Sequence, residues 1–349
     1  MSMLDVTIQP GATIFVTGVN GLIGSYIVDV LLKKGYNVRG AVRDVKKSRW
    51  LLDHFNGKQD AKLDLVAVPD MTIEGCYDDF VKGTSGIIHV ASPLSGSDPQ
   101  STIPIGISAA LNALSAAAKT PSITRVVYTS SSFAATMPCY FEQKTLDQST
   151  WNDECIQKGW LHPADEPEFL KGLYIYAALK TSSEKACWKF MDDEKPAFVL
   201  NTILPNCNFS RVLVPEKQGA PSTIEWARSA WTGENFEGVS KIITPQFYIS
   251  TQDCALLHVA ALLSPSIASE RIFGFAERWD FNKLLSVYRA RYPERAFPKD
   301  LEGLVDDRCV PPSERAEEIL KEFKEGGEGW DKLEDKATEM AVQFASGEL

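Results

Sequence analysis

A β-strand that runs directly into closely spaced glycines constrains the fold of this 349-residue chain more than any other feature. Residues 13–17 are rich in β-formers, and Gly18, Gly21 and Gly24 follow in the spacing G-x-x-G-x-x-G. An amphipathic stripe comes next and ends at two lysines and a glycine, residues 33–35. The order strand, glycine turn, helix predicts a loop whose amides bind the phosphates of a dinucleotide. The alternative is a glycine-rich turn with only a structural role.

Strand and helix patterns continue to alternate after this first unit. Further β-rich runs occupy residues 37–42, 63–68, 86–91, 125–129 and 198–204, and an Ala/Leu-rich helix is expected at about 108–119. Repeated βα units predict an α/β fold, a Rossmann-type doubly wound parallel sheet. We expect the cofactor domain at residues 1–206, with 240–260 as a candidate source of further sheet. Residues 207–349 should form mainly a smaller, substrate-binding lobe.

Bulk composition narrows the class of protein. A net charge of −10 without a long basic run argues against a nucleic-acid surface. The seven cysteines are scattered, with no C-x-x-C pair and no histidine at metal spacing, which indicates reduced thiols and no metal centre. The start of the chain has no basic-then-apolar signal, and no uninterrupted apolar stretch approaches bilayer length. We therefore expect a cytoplasmic monomer or homodimer that does not bind membranes.

Basic residues follow the second predicted strand, where the adenosine ribose of a dinucleotide is read. Arg43 stands there, followed by Asp44 and then by Lys46 and Lys47. An arginine at this point accommodates the 2′-phosphate of NADP, whereas an acidic residue binds the 2′-hydroxyl of NAD. Three cations beside one aspartate favour NADP. Asp44 keeps NAD open, and the cations could instead be ordinary solvated surface charges.

Tyr176 and Lys180 are spaced four apart in a run of good helix formers that ends before Pro196. Residues four apart on a helix share one face, so a phenol and an ammonium would lie side by side. The phenol is then a candidate acid or base, because a neighbouring cation favours its ionised form. Tyr140 and Lys144 have the same spacing, but they follow Met137-Pro138-Cys139 in a stretch without a helical stripe. We interpret that second pair as a coincidence in a loop.

A serine cluster, Ser130-Ser131-Ser132, follows the predicted strand at 125–129. Ligands of open α/β sheets bind at the carboxyl ends of strands, and a hydroxyl there can hydrogen-bond the oxygen of a bound carbonyl. A serine cluster after a strand is also a common turn, so its weight comes from the Tyr176 helix. His89 is interpreted as a strand residue with a satisfied hydrogen bond rather than as a catalytic group.

Three motifs together resemble those of the extended short-chain dehydrogenases/reductases: residues 17–24, Thr129-Ser130-Ser131 and Tyr176-Ala177-Ala178-Leu179-Lys180. Within that family, residues 40–43, 188–191 and 204–206 are most similar to yeast and fungal NADPH-dependent aldehyde and ketone reductases, relatives of plant dihydroflavonol reductases. The resemblance implies an oxidoreductase that uses NADPH and acts on carbonyl groups.

The resemblance also implies roles for individual residues. Tyr176 would protonate the substrate oxygen, and Ser131 would polarise the carbonyl, with Ser130 and Ser132 as other candidates. Lys180 would hydrogen-bond the nicotinamide ribose and lower the pKa of Tyr176. The implied cofactor contacts are Gly18, Asn20, Gly21, Leu22, Ile23, Arg43, Lys47, Asp70, Met71, Ala91, Tyr176, Lys180 and Pro205.

Two long inserts, residues 133–172 and 211–242, are rich in Trp, Phe and Pro and are expected to line a substrate cleft. Their aromatic character indicates a hydrophobic aldehyde or ketone as the small-molecule substrate. Two other functions stay open. One is a nucleotide-sugar epimerase or dehydratase, which shares the fold and the Tyr/Lys pair. The other is a non-catalytic module that senses NADP.

Overall fold

The computed structural model describes residues 6–93, 98–163 and 165–349; the first five residues of the expected cofactor domain lie outside this description. The strands are β1 (Thr13–Thr17), β2 (Asn37–Val42), β3 (Leu63–Ala67), β4 (Gly86–His89), β5 (Arg125–Thr129), β6 (Lys144–Thr145), β7 (Val199–Pro205), β8 (Cys207–Phe209), β9 (Gln246–Ser250), β10 (Arg271–Gly274), β11 (Glu277–Trp279) and β12 (Cys309–Val310).

The helices are α1 (Leu22–Lys33), α2 (Trp50–Phe55), α3 (Pro99–Ala118), α4 (Asp153–Leu161), α5 (Lys171–Glu194), α6 (Pro215–Gln218), α7 (Thr223–Thr232), α8 (Phe236–Ile242), α9 (Thr251–Leu263), α10 (Phe281–Arg291), α11 (Ser313–Phe323) and α12 (Leu333–Ala345). Short 3₁₀ turns cover Ser132–Ala134 and Glu168–Leu170. Helix α3 starts earlier than the expected residue 108, because the Asp98 carboxylate caps it by accepting from the backbone N–H groups of Gln100 and Ser101.

A parallel sheet in the order β10-β7-β5-β4-β1-β2-β3 forms the centre of the described structure. Alternate residues of each strand face opposite layers, so both faces must be apolar. In β1, Ile14 and Val16 pack into the cluster that contains α1 and α9, while Phe15 packs into the cluster that contains α3. Helix α5 lies beside α3 on this second face. The predicted Rossmann-type α/β fold is confirmed.

The last strand of the central sheet comes from a later segment of the chain than the sequence suggested. Strand β9, within the expected 240–260 region, pairs instead with β8 and β11 in a separate three-stranded sheet. The additional strand of the central sheet is β10, which pairs in parallel with β7. Residues 240–260 thus supply a strand, but to the smaller sheet and not to the central one. Helix α9 packs against α1, β5 and β7 and therefore covers the central sheet, and it also contacts β8 and β9 of the smaller sheet.

Aromatic residues pack within the smaller sheet and between its helices, and Trp279 of β11 joins the two by meeting Phe281 of α10 at a centroid distance of 5.3 Å. The Trp279 ring lies edge-on to Phe209 at a centroid distance of 4.7 Å, and Phe209 stacks on Tyr248. Trp231 of α7 meets Tyr288 of α10 at 5.6 Å. These edge-to-face pairs bury large apolar areas in a small layer.

Helix α3 is, by length and composition alone, apolar enough to cross a membrane. More than half of that stretch is buried inside the protein, where the helix packs against α5 and β4. The core helix of a globular domain meets the same criterion.

Candidate active site

The expected site residues follow the carboxyl ends of the central strands. Because those strands are parallel, their carboxyl ends meet at one edge of the sheet. The residues at that edge are Gly18 after β1, Arg43 after β2, Asp70 after β3, Ala91 after β4, Ser131 after β5 and Pro205 at the end of β7. The strand order reverses at β1, which pairs with both β2 and β4. A dinucleotide binds at such a switch point.

The glycine loop is built for close backbone packing. Gly18 has φ +69°, and a Cβ atom there would lie 3.0 Å from the Ala91 nitrogen. A Cβ atom on Gly24 would lie 2.1 Å from the Gly18 carbonyl oxygen. Any larger residue at this position would therefore prevent the present close contact between helix α1 and the loop. Asn20 and Gly21 are exposed, and the first amides of α1, from Leu22 and Ile23, have no acceptor within the helix. The loop therefore fits the pyrophosphate of a dinucleotide.

The side chains of Thr17 and His89 form a buried hydrogen-bond network beneath the glycine loop. The Thr17 hydroxyl oxygen accepts from the backbone N–H groups of Val90 and Ala91, both at 3.0 Å, and lies 3.0 Å from His89 Nδ1. With both amides donating to it, the Thr17 hydroxyl donates to His89. Burial lowers the pKa of His89 to about 3, which keeps the ring neutral. The hydrogen-bonded interpretation of His89 is thus correct.

The predicted ribose and adenine contacts are exposed at the same edge. Arg43 and Lys47 extend into solvent, while the Asp44 carboxylate accepts from the Lys47 backbone N–H at 3.1 Å. The Asp70 carboxylate is held by Thr72, through its backbone N–H at 2.8 Å and its hydroxyl at 2.6 Å. The Met71 carbonyl accepts from the Asn112 side chain at 3.0 Å.

Helix α5 brings Tyr176 and Lys180 to the end of β5. The Lys180 ammonium is buried and donates to the Thr129 carbonyl oxygen at 3.1 Å, and it lies 6.0 Å from the centre of the Tyr176 ring. Ser131 caps the following 3₁₀ turn by accepting from the Phe133 backbone N–H. Tyr176 remains partly open to solvent, and the Phe133 ring meets it edge-on at 6.0 Å.

The protonation tendencies of these groups differ from the sequence-based expectation. Burial raises the pKa of Tyr176 above its usual value, and the neighbouring Ser131 hydroxyl offsets part of that rise. Burial lowers the pKa of Lys180 to about 8, against an opposing contribution from Glu184. Lys180 is not among the groups that shift the Tyr176 pKa, and its ammonium donates to the Thr129 carbonyl.

The second Tyr/Lys pair is unrelated to this site. Tyr140 lies in a loop, where its hydroxyl bonds the side chain of Thr244 and the Pro245 carbonyl, and Lys144 belongs to the short strand β6. The interpretation of that pair as a coincidence is correct.

A surface hollow of about 530 Å³ near Gly83 and Pro121 lies at the amino edge of β4 and β5, at the opposite edge of the sheet from the candidate site.

Several residues near the site were missed by sequence reasoning. The Glu184 carboxylate accepts from the Ser130 hydroxyl at 2.6 Å, which directs Ser130 into the interior and leaves Ser131 beside Tyr176. Arg271 pairs with Glu184 from β10, and His258 Nε2 lies 2.8 Å from the Thr129 hydroxyl. Only Glu184 had a signal in the sequence, one helical turn after Lys180. The other two come from distant segments.

A group with metal-ligand chemistry is also assembled from distant segments. One ligand atom each from Cys139, Asp307 and Cys309 lies within 4.8 Å of the other two. The Asp307 carboxylate accepts from the backbone N–H groups of both cysteines, at 2.9 and 3.0 Å, so it already ties the two loops together.

A parallel doubly wound sheet, a glycine loop at its switch point and a Ser/Tyr/Lys group at the next strand end define a dinucleotide-dependent oxidoreductase. Residues 14–208 match the model of the NAD dependent epimerase/dehydratase family. The chain belongs to this family, which comprises extended short-chain dehydrogenases/reductases, and it uses a nicotinamide cofactor.

Relatives with assigned names cover nearly the whole chain. Aldehyde reductase 2 of Sporidiobolus salmonicolor is 37% identical over 343 residues, which are 97% of this chain and 98% of that protein. Ketoreductase adrE of Penicillium rubens is 33% identical over 336 residues, 94% and 95% of the two chains. The solved structure of Gre2 from Candida albicans in complex with NADPH has a TM-score of 0.81 at 21% identity, covering 96% of this chain and 99% of that one, so it shares the fold.

Proposed function

We propose that the protein reduces the carbonyl group of a hydrophobic aldehyde or ketone to an alcohol with NADPH. The observation that carries this proposal is the meeting of Ser131, Tyr176 and Lys180 at the end of β5, on the same sheet edge as the glycine loop. The names of the aldehyde reductase and ketoreductase relatives support it.

Tyr176 acts as the proton donor to the substrate oxygen. The phenol is protonated near neutral pH and therefore carries the proton that reduction requires. A raised pKa also makes it a weaker acid, so efficient proton transfer requires Lys180 to lower that pKa when the cofactor is bound. Ser131 donates a hydrogen bond to the same oxygen and thereby stabilises the charge that develops there. Lys180 would hydrogen-bond the nicotinamide ribose and thereby orient the nicotinamide beside Tyr176. Bound NADPH supplies the hydride.

The proposed cofactor contacts are the edge residues. The pyrophosphate would be held by the glycine-loop residues Gly18, Asn20, Gly21, Leu22 and Ile23. Asp70 and Met71 would contact the adenine, Ala91 would belong to the wall beside the cofactor, and Pro205 would lie near the nicotinamide. Arg43, with Lys47, would bind the 2′-phosphate. The engagement of Asp44 by the Lys47 backbone N–H supports NADP, because that carboxylate is partly used within the turn.

A hydrophobic substrate suits the surroundings of the phenol. The Phe133 ring beside Tyr176 belongs to the insert at 133–172, and Gln218 of the second insert donates to the Asn20 carbonyl and the Ser25 hydroxyl near the glycine loop.

In this proposal residues 1–206, joined by α9 and β10, hold the cofactor, and most of 207–349 forms the substrate lobe. The enzyme would act in the cytoplasm as a monomer or homodimer.

The test follows NADPH absorbance with a panel of aromatic and aliphatic aldehydes and ketones. Tyr176→Phe should lower kcat by about 100-fold to 10,000-fold, the range of general acid catalysis, with NADPH affinity nearly unchanged. Tyr36→Phe is the matched control, because its hydroxyl donates to the Ile8 carbonyl just before β2, at the opposite edge of the sheet, and it should keep the wild-type kcat.

Other outcomes point elsewhere. An undiminished rate in Tyr176→Phe would contradict the mechanism. Purified protein with tightly bound NAD and no carbonyl reduction would favour a nucleotide-sugar epimerase or dehydratase. NADPH binding without turnover of any carbonyl would favour a sensing module.

A further inference from the structure

A fully buried carboxylate lies directly behind the catalytic group. Glu184, one turn after Lys180 on α5, has no solvent exposure. Its oxygens accept from the Ser130 hydroxyl at 2.6 Å, the Thr202 hydroxyl at 2.8 Å and the Trp188 indole N–H at 3.3 Å. Glu184 therefore links α5 to the end of β5 and to the middle of β7.

Arg271 supplies the opposite charge from β10. Its Nε donates to Glu184 at 2.8 Å, and its side chain is 4% exposed. The guanidinium also donates to the backbone carbonyls of Gln148 at 2.8 Å and Thr150 at 2.7 Å, and it stacks 3.7 Å from the centre of the Trp151 ring. The same side chain thus holds residues 148–151 of the insert that is expected to line the cleft.

The buried Glu184–Arg271 ion pair is not explained by a contribution to the folding stability. Removing two charges from water is costly, and a buried ion pair replaced by apolar residues of similar volume is often equally or more stable. What apolar side chains cannot reproduce is the directional set of hydrogen bonds. Those bonds fix the register between α5, which carries Tyr176 and Lys180, and the residue before Ser131.

We propose that Glu184 and Arg271 are positioning residues that hold the Ser131, Tyr176 and Lys180 side chains in their reactive arrangement and couple it to the 148–151 insert. The proposal rests on the proposed reductase function. It assigns neither residue a contact with substrate or cofactor. Errors of about 1 Å in such arrangements cost roughly 100-fold in rate, so loss of the pair should affect kcat.

The experiment compares Glu184→Gln, which leaves Arg271 buried without its counter-charge, with the double variant Glu184→Met/Arg271→Met. The single variant should lose thermal stability and kcat together. The double variant should be more stable than the single variant, because no charge is left unpaired, while its kcat stays about 10-fold to 100-fold lower than that of wild type and its Kd for NADPH changes little. The matched control is Glu270→Met/Arg315→Met, which removes a bidentate pair between the start of β10 and α11 and should keep wild-type kcat.

A stable double variant with wild-type kcat would overturn the proposal, since the pair would then be structural only. If the double variant does not fold, Ser130→Ala decides: it deletes one hydroxyl on Glu184 and should lower kcat several-fold, and an unchanged kcat would overturn the proposal.

If wild type reduces no carbonyl, the reductase function fails separately. Crystal structures of wild type and the double variant then give the answer. A displaced Ser131 or Lys180 side chain supports positioning, and an unchanged arrangement contradicts it.

Discussion

The ammonium of Lys180 donates a hydrogen bond to the backbone carbonyl of Thr129 at 3.1 Å, which joins helix α5 to the last residue of β5. The cation is buried at this point, and its pKa falls to about 8 because of that burial. Folding thus disfavours the charge that the proposed reaction needs, and activity and stability should conflict at this residue.

Lys180→Met is expected to stabilise the cofactor-free protein while abolishing activity. The folded pKa of about 8 lies below the usual 10.5, so the charged form carries a penalty that is full below pH 8 and disappears as pH rises toward 10.5. That penalty is about 3 kcal/mol, partly offset by the lost hydrogen bond to Thr129. Thermal melts at pH 7 should show a higher Tm than wild type, with a smaller difference at pH 10. Lys189→Met, at an exposed position of the same helix, should show neither effect.

Gly24→Ala is expected to weaken NADPH binding strongly and to destabilise the fold. The added Cβ would meet the Gly18 carbonyl oxygen at 2.1 Å, so α1 must move away from the loop. Overpacking of this kind costs about 1–3 kcal/mol or more. Gly172→Ala is the matched control, because a Cβ there meets no atom of the described residues within 4 Å. Equal NADPH affinities by fluorescence titration would contradict the role given to Gly24.

Arg43→Gln is expected to raise the Kd for NADPH about tenfold and to leave that for NADH nearly unchanged. The lost charge-assisted bond to the 2′-phosphate is worth about 1.5–3 kcal/mol, reduced at an exposed site by screening. Lys82→Gln removes an exposed cation just before β4, at the opposite edge, and should change neither value. An equal loss of affinity for NADPH and NADH would contradict the proposal that Arg43 binds the 2′-phosphate.

His258→Gln is expected to make the protein less sensitive to acid. Burial lowers the pKa of His258 to about 4 from a usual 6.5, so folding stability is lost as pH falls from 6.5 through 4, by about 3 kcal/mol for this ring. His89 acts in the same direction, while buried Asp253, with its pKa raised to about 6, opposes them. The measurement is the difference in the slope of Tm against pH between variant and wild type. Identical slopes would show that His258 does not titrate on unfolding.

Much of the architecture could be predicted from short segments. The glycine loop, strands β1, β2 and β5 and the helix around Tyr176 each have a pattern contained within one element, and they form as expected. The return of the chain to the central sheet could not be predicted in the same way. Strands β9 and β10 are both short apolar runs, and only packing against β8 and β11 or against β7 distinguishes them.

The sequence by itself determined the cofactor loop and the Tyr176/Lys180 spacing, because these depend on neighbours within one or two helical turns. Only the tertiary structure decided which serine adjoins Tyr176, since Ser130 is taken by Glu184, 54 residues away. It also decided that burial raises the pKa of Tyr176, because burial depends on the whole fold. Contacts such as Glu184 with Arg271, separated by 87 residues, leave no local pattern that a sequence could display.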